Sequence, residues 1–181
     1  MPKSEKSFKS SLGSVLIELG EPANGLIVDL FCSSDFAIPV YNFVAISAAF
    51  LAFSFYLPTL DQEVEGEFVD LLEPIRIPGC SSVRPDDLVD PARNQKTDEY
   101  KSLLICVSRL PLSAGFILNS WEDLEPIPLK ALRENPFFKK PNIFPVGPII
   151  KSKEYQVIDD SIPDQCLAWL DKQPVESIYK V

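Results

Sequence analysis

Histidine is absent from the 181 residues of this chain. Its absence removes the usual general base, the Ser-His-Asp and Cys-His nucleophile systems, and the commonest metal ligand. The seven glycines are isolated, so the sequence contains neither a GxGxxG fingerprint nor a Walker loop. These absences exclude most common nucleophilic and nucleotide-binding signatures.

Positive charge is also scarce, because 17 Lys and Arg residues face 26 Asp and Glu residues, a net charge of −9. This balance argues against nucleic acid and anionic membranes, which need basic faces. The four cysteines are scattered without a CxxC pair, and the N-terminus does not read as a signal peptide. We therefore expect reduced thiols in a cytoplasmic protein.

No cluster of ligands has zinc spacing, so we predict no metal site. Two acidic pairs, Asp86-Asp87 and Asp159-Asp160, could recruit a divalent cation. Adjacent acids in proline-rich loops are more typical of solvated surface.

The most informative stretch is residues 25–47, which contains two apolar runs separated by a short polar break. Such runs are typical of strands buried on both faces. The first run contains a carboxylate, Asp29, and a lone buried carboxylate is costly. We therefore expect Asp29 either at the carboxyl end of its strand, where open α/β sheets bind ligands, or against a partner that other residues supply. A strand-end cap and a catalytic role are both compatible with this position.

An uncharged run of 25 residues, 36–60, has the length of a membrane span. It lacks flanking Lys or Arg and contains Asn42 and Pro58, so we interpret it as a strand followed by a buried helix from about Ser47 to Leu57. Ser47 is an N-cap by default, or it presents its hydroxyl and the helix's free N–H groups to a phosphate or sugar. Four residues share one face of this helix: Phe50, Phe53, Ser54 and Leu57. Because Phe55 and Tyr56 lie on the other side, the helix is covered on both sides or lines an apolar pocket.

Strands alternating with helices predict a doubly wound α/β fold with a parallel sheet. The long irregular segment 61–98 is typical of a binding loop or lid, and the link 35–39 is short for a parallel crossover. Asn119 or Ser120 should cap a helix whose first turn holds Glu125. The other predicted helices are 5–19, 97–109 and 163–172, and the strands are 26–31, 40–46, 115–119, 143–150 and 177–181.

Ten segments together resemble the plant UDP-sugar-dependent glycosyltransferases (family-1 glycosyltransferases), closest to the hydroquinone glucosyltransferase or arbutin synthase group. They are LIVDLF (26–31), PVYNF (39–43), LPTLD (57–61), IPGC (77–80), DLVDP (87–91), YKSLL (100–104), AGFILNSWEDLEP (114–126), PLKAL (128–132), FPVGPII (144–150) and CLAWLDKQP (166–174). Their order and spacing cover nearly all of residues 25–179, which is more specific than any one segment.

The resemblance implies a GT-B fold with two Rossmann-like domains, and transfer of glucose from UDP-glucose to a phenol or other hydroxyl with inversion. It implies no cofactor or metal, with UDP-glucose as the donor substrate. By motif, Asp29 matches the acid that orients and charge-balances a catalytic histidine, and Ser47 matches a residue that contacts the donor sugar. Acceptor-binding positions would be Leu30, Phe31, Phe50, Phe53 and Ser54.

The family's histidine and its donor signature, from WAPQ through HCGWNS, are absent from this sequence. We therefore expect a fragment, inactive by itself, with residues 1–150 forming part of the acceptor domain. Residues 151–181 would form the linker and the first elements of the donor domain. The alternatives are a non-catalytic remnant that binds an aromatic molecule, pairs with an intact relative or self-associates, and a flavodoxin-like nucleotide-binding domain, which would lack its glycine-rich phosphate loop.

Overall fold

In a computed structural model the chain divides into two compact units, Met1–Ile149 and Ile150–Val181. The structure describes residues 23–30 and 38–149, with the isolated positions Ser11, Ser14, Val15, Glu18 and Lys172. The first four of these isolated positions are helical, within the predicted 5–19 helix. The rest of that helix, most of the 35–39 link and the elements predicted beyond residue 150 lie outside the described residues.

Within the described residues, four parallel strands form the sheet, in the spatial order of their appearance in the chain. They are β1 (Leu26–Asp29), β2 (Val40–Val44), β3 (Gly115–Leu118) and β4 (Ile143–Pro145). The predicted parallel pairing of the first two runs is confirmed, and Asp29 lies beside Phe43. The α/β class with a parallel sheet is therefore confirmed.

Between residues 38 and 149 the chain forms four α-helices: α1 (Ala48–Glu63), α2 (Asp90–Arg93), α3 (Asp98–Val107) and α4 (Pro126–Glu134). Helix α1 continues past the predicted end at Leu57, with Pro58 in its interior. An interior proline costs about 3 kcal/mol. Burial of Leu57 and Leu60 offsets this, at roughly 1.5–3 kcal/mol for each side chain. No helix within the described residues is long and apolar enough to cross a membrane.

In the part of the chain that the structure describes, the helices lie mainly against one face of the sheet. Alternate residues of neighbouring strands, including Val44, Phe116 and Leu118, are buried, and Phe116 packs edge-on against Phe55 of α1 with ring centroids 5.4 Å apart. The opposite face is more open, with Ile27 63% exposed. On the buried side, helix α1 contacts both α3 and α4.

The segment 61–98, expected to be irregular, contains short 3-10 turns at Phe68–Asp70 and Pro85–Asp87 as well as helix α2. It is anchored in the core, because Phe68 is fully buried and its ring packs edge-on against Tyr100 of α3 at 5.9 Å. Backbone N–H groups of Phe68 and Gln95 donate to the side chains of Gln95 and Glu67, at 2.9 and 2.8 Å. These contacts show a packed connection between α1 and α3.

A side-chain hydrogen bond also joins α3 to the last turn of α1, because Tyr100 Oη donates to Asp61 Oδ1. Burial, followed by this bond to the carboxylate, raises the pKa of Tyr100. The folded chain therefore keeps the phenol protonated at a pH where an unfolded tyrosine, with a pKa of about 10, ionises. The contribution to stability is full below about pH 10 and is lost as the pH rises further.

We expect Tyr100→Phe to lower the free energy of unfolding by about 1.5–3 kcal/mol at pH 7, because Asp61 loses a donor to its charged oxygen. The variant should also lose less stability than the parent between pH 10 and pH 11. Urea unfolding monitored by tryptophan fluorescence measures both effects, with Tyr41→Phe on the open sheet face as the control. Equal alkaline destabilisation of parent and Tyr100→Phe would contradict this account.

Candidate functional site

The carboxyl ends of the four strands meet at one edge of the sheet, as expected for parallel strands. The segments that follow the strands are held together there by backbone hydrogen bonds. Asn119 N donates to Val44 O at 3.0 Å, and Gly147 N donates to Ser120 O at 2.9 Å. A Cβ at Gly147 would lie 2.6 Å from Ser120 N, so the close approach needs a glycine. The segments that follow β2, β3 and β4 are therefore held close together at this edge.

Asp29 is the last residue of β1, and its side chain is exposed at this edge. Leu30, the next residue, is only 3% exposed and belongs to the hydrophobic core. Phe31 lies outside the described residues. Of the two that the structure describes, Asp29 is exposed and Leu30 is buried in the core.

Ser47 is the N-cap of α1, and its Oγ accepts a hydrogen bond from Phe50 N at 3.1 Å. The first two N–H groups of the helix are also taken, because Ala48 N and Ala49 N donate to the Glu125 carboxylate at 2.9 and 3.3 Å. Ser120 Oγ donates to the same carboxylate at 2.5 Å. An internal anion thus occupies the positive end of the helix dipole, which sequence reasoning had left available to a phosphate.

The sequence predicted that Glu125 lies in the first turn of a helix capped by Asn119 or Ser120. That helix begins instead at Pro126, with Glu125 at its N-cap position and no cap hydrogen bond from the side chain. The carboxylate serves α1, 77 residues away in sequence. Prolines at the first and third positions of this helix, Pro126 and Pro128, carry no N–H group, so its first turn offers few donors to a capping side chain.

An apolar cavity of about 520 Å³ opens beside Ser47. It is lined by the end of the β2–α1 connection, the first turn of α1, the start of α2 and the middle of α3: Ile46, Ser47, Phe50, Val89, Pro91 and Leu103. Its volume and lining are suited to a small apolar or aromatic molecule. The cavity has a hydroxyl, that of Ser47, at its margin.

Two predicted acceptor-binding residues, Phe53 and Ser54, lie inside the core and do not line this cavity. Phe53 is 5% exposed and packs against Phe50, with ring centroids 6.1 Å apart. Ser54 is 1% exposed, and its Oγ has no hydrogen-bond partner among the residues the structure describes. Phe50 and Ser47 are thus the predicted residues that the structure brings together.

Sequence reasoning missed four lining residues: Ile46, Val89, Pro91 and Leu103. The length of segment 61–98 was a signal for Val89 and Pro91, because long connections are commonly binding loops. Nothing local to Leu103 distinguishes it from the other apolar residues of α3.

Two other candidates, Asp87 and Cys80, have structural explanations, whereas Asp159 and Asp160 lie outside the described residues. Arg84 binds Asp87 through Nε at 2.7 Å and Nη2 at 3.0 Å, and the pKa of Asp87 is lowered by this bond. The acidic pair at 86–87 is therefore partly neutralised by its own loop. Burial raises the pKa of the Cys80 thiol, which lowers its nucleophilicity at neutral pH.

Comparison of sequences identifies plant relatives. The chain is 41% identical over 159 residues to the hydroquinone glucosyltransferase of Rauvolfia serpentina, covering 84% of this chain and 33% of that protein. It is 37% identical to UDP-glycosyltransferase 72B1 of Arabidopsis thaliana, covering 99% of this chain and 37% of that protein. No protein-family model matches the chain.

Solved structures give the same result for the fold. A UDP-glucosyltransferase from Polygonum tinctorium capable of glucosylating indoxyl, in complex with 3,4-dichloroaniline, matches 95% of this chain and 39% of its own. Its TM-score is 0.78 at 36% identity. UGT2 of Phytolacca americana, complexed with UDP-2-fluoro-glucose and pterostilbene, covers 94% of this chain and 38% of its own, with a TM-score of 0.75 at 39% identity.

The relatives match most of this chain, whereas the chain spans only about a third of the length of the curated relatives. Its parallel α/β sheet is the part of a GT-B enzyme that these structures share with it. By sequence and by fold, the chain belongs to the plant UDP-glycosyltransferases.

Proposed function

We propose that this chain is the acceptor-binding part of a cytoplasmic, inverting UDP-glucosyltransferase that acts on a phenol or a similar small hydroxyl compound. The observation that carries the proposal is the apolar cavity beside Ser47, at the sheet edge where β1 ends in Asp29. An aromatic acceptor would lie on Phe50, Val89 and Leu103. In this proposal residues 1–150 form the acceptor domain, and residues 151–181 lead into a donor-binding domain.

In the proposed mechanism Asp29 orients a histidine and balances the charge that it acquires. The histidine takes the acceptor's proton while the acceptor oxygen attacks the anomeric carbon of UDP-glucose and UDP leaves. No histidine is encoded in the 181 residues, so the base would have to come from outside this sequence. The exposure of Asp29 at the strand end supports this role, because a partner can reach it.

Ser47 would contact the donor sugar through its hydroxyl. Because Glu125 already occupies the N–H groups of Ala48 and Ala49, a nucleotide phosphate would not bind at this helix terminus. Glu125 would instead hold the first turn of α1 so that Ser47 and Phe50 keep their positions at the cavity. The donor phosphates would then be bound elsewhere in the intact enzyme.

Removing the Glu125 carboxylate should destabilise the contact between the first turn of α1 and the β3–α4 connection. We expect Glu125→Ala to lower the free energy of unfolding by about 1–2 kcal/mol, because two helix N–H groups and the Ser120 hydroxyl lose their acceptor. Urea denaturation measures the change. The matched control is Glu122→Ala, which removes a carboxylate whose partner is the side chain of Arg133. Similar losses in the two variants would show that Glu125 makes no special contribution.

A positive charge at the mouth of the cavity beside Ser47 should weaken the binding of an aromatic acceptor. We expect the chain to bind 2-naphthol, and Val89→Lys to weaken that binding at least about tenfold, because an ammonium group would be desolvated by the ligand. Val69→Lys is the control, since Val69 is 39% exposed and Val89 is 36% exposed, but Val69 lies outside the cavity lining. Titration by calorimetry gives both affinities, and equal weakening would remove the cavity from the proposal.

The proposed role of Asp29 can be measured only in a complete enzyme that supplies the histidine. With UDP-glucose and hydroquinone, we expect the chain alone to form no glucoside above a blank. Residues 23–149 transplanted into the hydroquinone glucosyltransferase should give an active hybrid. In that hybrid, Asp29→Asn should lower kcat by about 10²–10⁴-fold, as expected when a general base is no longer oriented or charge-balanced. Asp70→Asn, another exposed acid, is the control, and a fully active Asp29→Asn hybrid would refute the assignment.

A further inference from the structure

A second cavity, of about 400 Å³, lies at the opposite edge of the sheet from Asp29 and Ser47. Ala114 and Asn142, which precede the amino ends of β3 and β4, form part of its wall. Thr59, in the second half of α1, forms another part. The volume is within the range of small-molecule sites. None of the residues proposed for glucosyl transfer lines this cavity.

Aromatic rings dominate one side of this second cavity. The Phe137 and Phe138 rings meet edge-on at 5.2 Å, and Phe138 meets Phe55 edge-on at 6.1 Å. Phe116 extends the same wall. Edge-to-face packing of this kind accommodates a further ring favourably.

Two consecutive lysines, Lys139 and Lys140, stand at the mouth of the cavity. No acid from the described part of the chain lines the cavity, although the sequence carries 26 acidic residues and a net charge of −9. Among the described residues neither lysine has an ion-pair partner, whereas Lys101 and Lys130 pair with Asp98 and Glu134. The mouth is therefore a local positive site on an acidic protein, and it favours an anion.

The backbone at these two lysines adopts the left-handed conformation, with φ of 56° at Lys139 and 54° at Lys140. Residues other than glycine adopt this conformation at a conformational cost, and it concentrates at functional positions. Glycine or asparagine would fit this turn with less strain. The presence of two lysines there is consistent with a use for their charge.

We propose that this second cavity binds a small aromatic carboxylate, with its ring against the phenylalanines and its carboxylate between Lys139 and Lys140. Asn142 Nδ2 is already engaged, since it donates to Ala114 O at 2.8 Å. Ser113 Oγ accepts from Asn42 Nδ2 at 2.5 Å. The two ammonium groups thus supply the recognition of charge. The proposal does not depend on glucosyl transfer and applies to the chain as it is.

The test is a calorimetric titration of the whole chain with cinnamate and with its neutral analogue cinnamamide. We expect cinnamate to bind at least about tenfold more tightly, because charge-assisted hydrogen bonds to the lysines are lost in the amide. Lys139→Gln/Lys140→Gln should abolish this preference, and Lys139→Arg/Lys140→Arg should retain it. Lys101→Gln/Lys130→Gln is the matched control, with the same change in net charge at lysines away from the cavity.

Location is tested separately by methyl NMR, in which cinnamate should shift the signals of Thr59 and Leu110 and leave those of Val89 and Leu103 unchanged. Three results would overturn the proposal. They are equal affinity for acid and amide, equal weakening by the two Lys→Gln pairs, and shifts confined to the cavity beside Ser47. Acetate binding as tightly as cinnamate would also refute it, since the aromatic wall would then contribute nothing.

Discussion

The contact between the Glu125 carboxylate and the N-terminus of α1 organises the carboxyl edge of the sheet. One side chain accepts from Ala48 N, Ala49 N and Ser120 Oγ, so it joins the β2–α1 and β3–α4 connections. The negative charge lies at the positive end of a 16-residue helix, where the helix dipole stabilises it. The position of Ser47, and with it the wall of the adjoining cavity, follows from this contact.

This arrangement also constrains the chemistry at that edge. Helix N-termini at the carboxyl end of a parallel sheet are common anion sites, because their N–H groups are unsatisfied. Here the first N–H groups are satisfied from within the protein, and Phe50 N is satisfied by Ser47. What the edge offers to a ligand is apolar surface, a hydroxyl and the exposed carboxylate of Asp29. In the proposed function, these features would suit a phenolic acceptor better than a phosphate.

Local sequence patterns predicted the four described strands and the parallel pairing of the first two, and they gave the strand end as one of two positions for Asp29. They also predicted the Ser47 cap, because serine before an apolar helix is a local signal. The course of α1 beyond Pro58 was not predictable, since long-range burial of Leu60 outweighs a local helix breaker. The use of Glu125 and the Tyr100–Asp61 bond were not predictable either. Both join residues far apart in sequence, and neither has a local pattern.

Helix α1 packs in the core although it contains an interior proline, Pro58, and a buried serine, Ser54. Pro58 cannot donate to the Ser54 carbonyl one turn earlier, and the buried Ser54 hydroxyl has no partner within the part of the chain described. A buried unsatisfied polar group costs about 1–3 kcal/mol. The helix is retained because both of its sides are covered, by Phe116 and Phe138 around Phe55 and by Phe137 beside Tyr56.

The same helix borders two cavities, because α1 runs back along strands that are only about 13 Å long. Its first turn, at Phe50, borders the cavity at the carboxyl edge, and Phe55 and Thr59 border the one at the amino edge. The electrostatics of the two cavities differ. The first has an apolar wall beside a carboxyl edge that holds Asp29, whereas the described lining of the second contains two lysines and no acid. A neutral phenol and an aromatic carboxylate would therefore be sorted between the two edges by charge, although both present the same kind of ring to phenylalanine.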